Sequence, residues 1–308
     1  MSDSQTRCGF AAVIGAPNAG KSTLVNALVG SKVSIVSPKV QTTRMRVRGV
    51  AIRGNTQIVF VDTPGIFKPR RRLDRAMVNA AWAGAGEADA ILLLVDAPAV
   101  AAQPEGLAAQ DTQSIISGLK QNNRRAALVL NKVDDMPRAD LLPLAERLND
   151  PAVFEQVLMI TALTGDRVED VVNWTAAKMP EGPWLYPPDQ AADIPMRLLA
   201  SEITREKLYL RLHDELPYAT TVETEKWEER KDGSVKIDQL IYVEREGQKA
   251  IVLGKGGRAV KAIGEAARKE LEDMLGRRVH LFLFVKVREN WSKSREHYAA
   301  IGLDYPEE

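Results

Sequence analysis

The sequence predicts two domains, an α/β domain on a doubly wound sheet followed by a smaller α+β domain. Three observations carry this. Short apolar segments alternate with helical patterns through the first 180 residues, which indicates a mainly parallel sheet with crossover helices. A Gly-rich octapeptide, Gly15 to Ser22, stands where the first apolar segment gives way to a helix. The stretch Pro180 to Asp189 then holds four prolines in ten residues, and a different pattern follows it. The expected boundaries are 1–180 for the first domain, 181–190 for a semi-rigid linker and 191–308 for the second.

The expected strands of the first domain are Phe10 to Ile14, Gln57 to Val61, Ala90 to Val95, Ala126 to Leu130 and Val157 to Ile160. Met45 to Ile52 adds an antiparallel edge strand, turning at Gly54-Asn55 into the second of these; the sheet is therefore mixed. In the second domain, Ile194 to Leu216 reads as a helix. Thr221 to Arg230 and Ser234 to Arg245 read as strands around Lys231-Asp232-Gly233. Lys249 to Leu253 reads as a short strand, Arg258 to Leu275 as a helix, Arg278 to Glu289 as a strand and Lys293 to Ile301 as a last short helix.

Bulk composition narrows the classes of function. With 308 residues, 45% hydrophobic and 27% charged, the chain reads as an ordinary globular protein. Its longest strongly apolar run, Ala90 to Val95, is far short of the roughly 20 residues that span a bilayer. The polar start, Met1 to Arg7, does not fit a signal peptide. A single cysteine, Cys8, excludes an internal disulfide and a cysteine metal cluster, which suits a reducing cytoplasm. His213 and His297 read as ordinary surface or capping residues. The net charge of +1 hides a local surplus: Lys249 to Arg295 carries 12 basic and 5 acidic side chains. Phosphate backbones respond to such a patch.

Four motifs build a nucleotide site. Gly15-Ala16-Pro17-Asn18-Ala19-Gly20-Lys21-Ser22 fits G-x-x-x-x-G-K-[ST] between strand and helix. Its backbone N–H groups and the helix N-terminus cradle phosphate, Lys21 reaches the β/γ-phosphates and Ser22 ligates Mg²⁺, with Thr23 next on the helix. Asp62-Thr63-Pro64-Gly65 closes a strand; the Asp62 carboxylate can hold Mg²⁺ through water and the Gly65 N–H can meet the γ-phosphate. Asn131-Lys132-Val133-Asp134 follows another strand. Asp134 can accept from the two adjacent donors that guanine presents and adenine lacks, which discriminates strongly in a buried site. Asn131 would tie this loop to the octapeptide, and the Lys132 stem can lie along the base. Thr161-Ala162-Leu163 ends the last strand, where the Ala162 N–H could reach guanine O6. All four lie at strand C-terminal ends, where a doubly wound sheet binds ligands.

Two further features concern hydrolysis. Ser37 to Arg44 is polar and aperiodic, as a switch loop would be. A threonine there can close over Mg²⁺ when the γ-phosphate is present; Thr43 is favoured over Thr42. After Asp-Thr-Pro-Gly comes Ile66, which cannot orient water, so slow intrinsic hydrolysis is expected, with help from a partner or a monovalent cation. Asn18 is either the residue that holds such a cation, K⁺, or a loop stabiliser.

In the second domain, Gly254-Lys255-Gly256-Gly257 opens the helix at Arg258, with Lys261 one turn on. Glycines let the backbone approach a sugar-phosphate chain, and Lys255 supplies charge at the tip. That is the KH mode of clamping about four nucleotides of single-stranded nucleic acid. In Arg278 to Arg288, Val279, Leu281, Leu283, Val285 and Val287 share a core face. His280, Phe282, Phe284 and Lys286 share the other, which could meet RNA. Trp291 is expected beneath the last helix.

With Gly15 to Ser22, Pro38-Lys-Val-Gln-Thr-Thr-Arg44, Asp62 to Gly65, Asn131 to Asp134 and Gly254 to Gly257 in this order, the chain resembles the Era family of bacterial GTPases from end to end. One departure is Thr161, where the family commonly has serine. The resemblance implies a P-loop GTPase domain, a type II KH domain and GTP/GDP with Mg²⁺. It implies binding to 16S ribosomal RNA near its 3′ end and a role in assembly of the 30S subunit. It also implies a cytoplasmic protein with peripheral association with the inner membrane; a monomer without DNA partners is expected. The rival readings are an RNA-binding assembly chaperone with GTP as a structural ligand, and a membrane-associated regulatory GTPase.

Overall fold

The computed structural model describes residues 5–213 and 215–306. Two compact units emerge. The first comprises Met1–Ser34, Thr43–Asp193 and Ile301–Glu308; the second comprises Ile35–Thr42 and Ile194–Ala300.

In chain order, the first unit runs β1 (Arg7–Ile14), α1 (Lys21–Val29), β2 (Val47–Arg53), β3 (Thr56–Asp62), α2 (Arg72–Glu87), β4 (Ala90–Asp96), α3 (Ala97–Ala102) and α4 (Leu107–Gln121). It continues with β5 (Ala126–Asn131), α5 (Arg138–Leu148), β6 (Phe154–Met159), α6 (Val168–Lys178) and β7 (Ala192–Asp193). These strands form one sheet in the order β6-β5-β4-β1-β3-β2-β7. β1 pairs parallel with both β3 and β4, and β4, β5 and β6 continue in parallel. β2 runs antiparallel to β3. The central strands are buried along nearly their whole length, as strands covered by helices on both faces must be. Their side chains join those of α2, α4 and α5 in one core that includes Ile14, Leu93, Ile115, Leu128 and Leu148.

The expected strands and the hairpin at Gly54-Asn55 are present, with one change at the sheet edge. β2 is not the edge strand, because Ala192 and Asp193 pair with Gly49 and Arg48 outside it. The proline-rich stretch is likewise no free linker. Gln57, fully buried, accepts at Oε1 from the amides of Leu185 and Tyr186 (2.9 and 3.0 Å) and donates through Nε2 to the Tyr186 carbonyl at 2.8 Å. Trp184 Nε1 donates to the Asn55 carbonyl at 3.1 Å. A buried amide that must find partners has drawn the segment onto the sheet. The units therefore divide at Asp193 rather than within 181–190, and Ile301–Glu308 returns to the first.

The second unit holds α7 (Met196–Arg211), β8 (Thr220–Glu229), β9 (Val235–Val243), α8 (Glu246–Leu253), α9 (Arg258–Leu275), β10 (Val279–Val287) and α10 (Arg295–Ala300). The expected helix Ile194 to Leu216 ends earlier, at Arg211; Asp214 lies outside the described residues. Its sheet has the order β10-β9-β8, with β10 parallel and β8 antiparallel to β9. α7 and α9 pack with β9 and β10 around Leu199, Ile203, Ile237, Ala267 and Leu271. Lys249 to Leu253 is helical, not a strand. An apolar run of five residues does not separate the two states by periodicity, and here Gln248 Oε1 accepts the Glu244 and Arg245 amides (2.9 and 3.1 Å) at the start of α8. His297 is buried beside Trp291, their rings edge to face at 4.7 Å, rather than lying on the surface.

Candidate functional site

The parallel strands β1, β3, β5 and β6 end side by side, and each releases one of the predicted loops. After β1 the chain turns through Gly15 to Gly20 into α1. Gly20 has φ +96°, and a Cβ there would lie 2.4 Å from Nδ2 of Asn131, so the position requires glycine on both counts. Ala16, Ala19 and Lys21 are buried, Pro17 and Thr23 are half-buried, and Asn18 is exposed with φ +63°. Lys21 Nζ donates to the carbonyls of Gly15 at 3.2 Å and Ala16 at 2.9 Å. Burial lowers its pKa to about 8, with the Asp62 charge opposing. A lysine held this way is poised for a phosphate that would supply the missing counter-charge.

Beside it, three side chains converge. Ser22 Oγ donates to Asp62 Oδ2 at 2.7 Å and lies 2.7 Å from Thr43 Oγ1, which is itself 3.3 Å from Asp62 Oδ2. Asp62 is fully buried; burial pushes its carboxyl up, and the Ser22 hydroxyl and the Lys21 charge hold it down. Its Oδ1 is buried without a hydrogen-bond partner. Two hydroxyls and a carboxylate with an orphaned oxygen form a hard, oxygen-only set, the kind that suits Mg²⁺. Thr42, the alternative, is turned away: its hydroxyl donates to the Lys39 carbonyl at 2.7 Å and lies 2.6 Å from Ser37 Oγ.

Asp62 leads into Thr63, whose hydroxyl donates to the Val13 carbonyl at 2.8 Å. Pro64 and Gly65 are buried, and the Ile66 amide donates to the Gly15 carbonyl at 3.0 Å. The Asp-Thr-Pro-Gly turn is thereby fixed against the octapeptide. Ile66 itself is buried in the core.

The loops expected to read guanine are tied together by Asn131. Its Nδ2 donates to the Ala19 carbonyl at 2.8 Å and its Oδ1 accepts the Ala162 amide at 2.9 Å. The Ala162 N–H, expected at guanine O6, is thus directed to Asn131, while Leu163 beyond it is exposed. Lys132 takes a left-handed φ of +62°, and its Nζ donates to the Asn18 carbonyl (3.0 Å) and to Asp96 Oδ2 (2.5 Å). Val133 packs against the core, leaving Asp134 exposed. One role, that of Thr161, and one residue, Asp96, were not read from the sequence. Thr161 Oγ1 donates to Asp134 Oδ1 at 2.9 Å and so orients the carboxylate. Asp96 positions Lys132, and its signal was available: like Asp62, it is a carboxylate that closes an apolar strand.

In the second unit, the loop Gly254 to Gly257 joins α8 to α9. Gly256 and Gly257 have φ of +63° and +75°, and nothing lies within 4 Å of where a Cβ would stand on either. The backbone is therefore open to close approach at the N-terminus of α9. Lys255, Arg258 and Lys261 are exposed around it, and Arg258 Nε donates to the Lys255 carbonyl at 3.2 Å. Ile251, 61% exposed on α8, adds an apolar neighbour that sequence reading did not single out. On β10, Phe282 and Phe284 are exposed while the valine face is covered. Among the described residues no group of three or more His, Cys, Asp or Glu could hold a metal, and no helix is long and apolar enough to cross a membrane.

Known proteins resemble the chain over both units. A family model described as a 50S ribosome-binding GTPase matches residues 10–132, and one for the KH domain matches residues 215–292. The GTPase Era of Rhizobium meliloti strain 1021 is 63% identical over 301 residues, covering 98% of this chain and 94% of that protein. The Caulobacter vibrioides GTPase Era is 62% identical over 309 residues, covering 98% of each. A crystal structure of Era in complex with MgGDPNP and nucleotides 1506–1542 of 16S ribosomal RNA superimposes with a TM-score of 0.88 at 39% identity, covering 96% of this chain and 99% of that one. A variant of Aquifex aeolicus Era bound to GDP·AlF4⁻ gives the same values.

Proposed function

The chain belongs to the Era family of GTPases, and from that premise we propose that its GTP state offers the Gly254 to Gly257 loop to 16S ribosomal RNA near the 3′ end, and its GDP state withdraws it, during 30S subunit assembly. It hydrolyses GTP to GDP and phosphate. The observation that carries the switch is the convergence of Ser22, Thr43 and Asp62, because Thr43 comes from a segment with no regular structure of its own.

In hydrolysis, Lys21 and the octapeptide amides stabilise charge on the transferring phosphoryl group, and the Gly65 amide senses the γ-phosphate. Ser22 and Thr43 would hold Mg²⁺ directly and Asp62 through water; bound there, the ion would neutralise charge on the β- and γ-phosphate oxygens. Asp134, oriented by Thr161, accepts the two guanine donors. With Ile66 in the core, the side chain that directly follows Gly65 cannot orient the attacking water. The intrinsic rate is therefore slow, and K⁺ near Asn18 or a partner raises it. Faster hydrolysis in K⁺ than in Na⁺, lost in Asn18→Asp, tests the cation.

The RNA reading is supported by the open, positively flanked Gly256-Gly257 backbone and by the complex that a 39% identical relative forms with 16S RNA. Crosslinking in cells followed by sequencing of the bound RNA should recover the 3′ end of 16S RNA. Affinity for that RNA should be higher with a non-hydrolysable GTP analogue than with GDP; equal affinities would sink the switch. The protein acts in the cytoplasm and meets the inner membrane peripherally, which flotation with anionic vesicles checks. Asp134→Asn should shift preference from GTP toward xanthosine triphosphate, and Lys21→Ala should abolish nucleotide binding.

A further inference from the structure

After α1 ends at Gly30, one side chain of that helix catches the chain again. Asn26 Oδ1 accepts the amides of Val33 and Ser34 at 2.8 and 2.9 Å, and its Nδ2 donates to the Ser34 carbonyl at 2.8 Å. A single amide group thus holds both the N–H and the C=O of Ser34. Val33 is buried against β2 at Gly49, where a Cβ would stand 3.2 Å from Val33 Cγ2, so the clasp has little room to shift. Asn26 stands four residues after Ser22 on α1, which makes the two side chains neighbours on one helix face. One of them bonds to Asp62 and the other to Ser34, so Ser34 is brought beside the carboxylate. Ser34 is 3% exposed and its Oγ has no hydrogen-bond partner; Asp62 Oδ1, equally buried, has none either. Burial raises the Asp62 carboxyl, and the Ser34 hydroxyl is close enough to oppose it, after Ser22 and Lys21 and ahead of Thr43. All of these residues lie in the first unit.

We propose that Ser34 is a positioning residue of the metal site: clasped by Asn26, it directs its hydroxyl to the free oxygen of Asp62 and so fixes the carboxylate. This rests on the reading of Asp62 as a residue that holds Mg²⁺ through water. Buried polar groups seldom stay unpaired, and here a donor without an acceptor stands beside an acceptor without a donor. With only Oδ2 bonded, to Ser22 and Thr43, the carboxylate can still turn about its last torsion, which is broad for aspartate. A donor on Oδ1 removes that freedom, because both oxygens are then held. Partners of this kind, one step removed from the ion, commonly change metal affinity by about 10-fold or more. A serine hydroxyl can do this only from a fixed backbone, and Asn26 supplies the fixing. Neither residue belongs to the loops expected to meet phosphate or guanine, so nucleotide binding without metal should be spared while the response to Mg²⁺ is weakened.

The test uses the full chain: wild type, Ser34→Ala, Asn26→Ala, the two together, and Asp62→Ala. Release of a fluorescent GDP is followed by stopped flow in EDTA and across a Mg²⁺ series, and the Mg²⁺ concentration that gives half of the slowing is read. Ser34→Ala should raise that concentration by about 10-fold or more. Its release in EDTA should stay within about twofold of wild type. Asn26→Ala should move the half-point in the same direction, and adding it to Ser34→Ala should move it no further, because Asn26 acts through Ser34. A wild-type half-point in Ser34→Ala would overturn the inference. So would an equal change of its release in EDTA, which would mark a loss of packing rather than of metal binding, or full additivity in the double variant. Ser34→Ala removes a single oxygen and decides the matter even if Asn26→Ala fails to fold. A wild-type response to Mg²⁺ in Asp62→Ala would instead overturn the reading of Asp62, and the inference with it.

Discussion

Thr161 shows what a single hydroxyl contributes at this site. Asp134 is exposed, and a free carboxylate at a loop tip samples many rotamers; the 2.9 Å bond from Thr161 selects one of them before guanine arrives. Hydrogen bonds to a charged group are worth about 1.5–3 kcal/mol, so Thr161→Val should weaken GDP binding by about tenfold or more. Thr161→Ser keeps the hydroxyl and should bind GDP within about twofold of wild type, as equilibrium titration with a fluorescent GDP would report. An unchanged affinity in Thr161→Val would show that the carboxylate needs no guide. The residues legible in the sequence were those whose chemistry demands a fixed type at a fixed spacing: Gly20, Lys21, Ser22, Asp62, Asn131 and Asp134. Thr161 was quoted for its neighbour's amide, and its own role was not legible because a side chain that orients another is defined by a contact across 27 residues. The bond of the Ala162 amide to Asn131 was not legible for the same reason, since it exists only once β5 and β6 lie side by side.

At the scale of elements, the legible ones had either strict alternation or an unambiguous start and stop. β10 alternates along its whole length, and α9 runs from Gly257 to Gly276, both left-handed caps. Lys249 to Leu253 had neither, and its helical state is set by Gln248, which caps the Glu244 and Arg245 amides, and by packing of Val252 into the second core of the unit. The helix-loop-helix that results makes a definite prediction about RNA. Lys255 in the loop and Lys261 on the first turn of α9 flank the open glycine backbone, where phosphate contacts would be charge-dependent and sequence-blind. Lys255→Ala with Lys261→Ala should weaken RNA binding and lower the slope of log affinity against log salt by about 0.7 per lysine for a single strand. Filter binding or anisotropy over a salt series measures it; a lowered affinity with an unchanged slope would mean that these lysines do not meet phosphate. Hydrolysis without RNA should be untouched, because neither lysine belongs to the loops that form the nucleotide site.

Over the whole molecule, the linear order of domains expected from the proline-rich stretch gives way to an exchange. Ile35–Thr42 is lent to the second unit, and after Ala300 the chain returns to the first. No composition shift marks either crossing, so neither was visible in the sequence. The return is anchored by Leu303, 5% exposed, and by Tyr305, whose ring stacks 5.0 Å from the Arg72 guanidinium and whose hydroxyl accepts from Arg72 at the start of α2. Burying a leucine of this kind is worth about 2–5 kcal/mol by truncation, and a cation over an aromatic ring adds about 0.5–2 kcal/mol. A chain ending at Ala300 should therefore unfold its nucleotide-binding unit several degrees earlier. Two units with separate cores need not melt together, so the scan should show which transition moves. Saturating GDP identifies the first unit, since a ligand at about 100 times its Kd adds about 2.7 kcal/mol to the state that binds it. The shortened chain should lower the GDP-responsive transition and leave the other in place. A drop in the other transition would assign the last residues to the second unit's stability instead, and Leu303→Ala in the full chain should reproduce most of the loss if the packing of that one side chain is its cause.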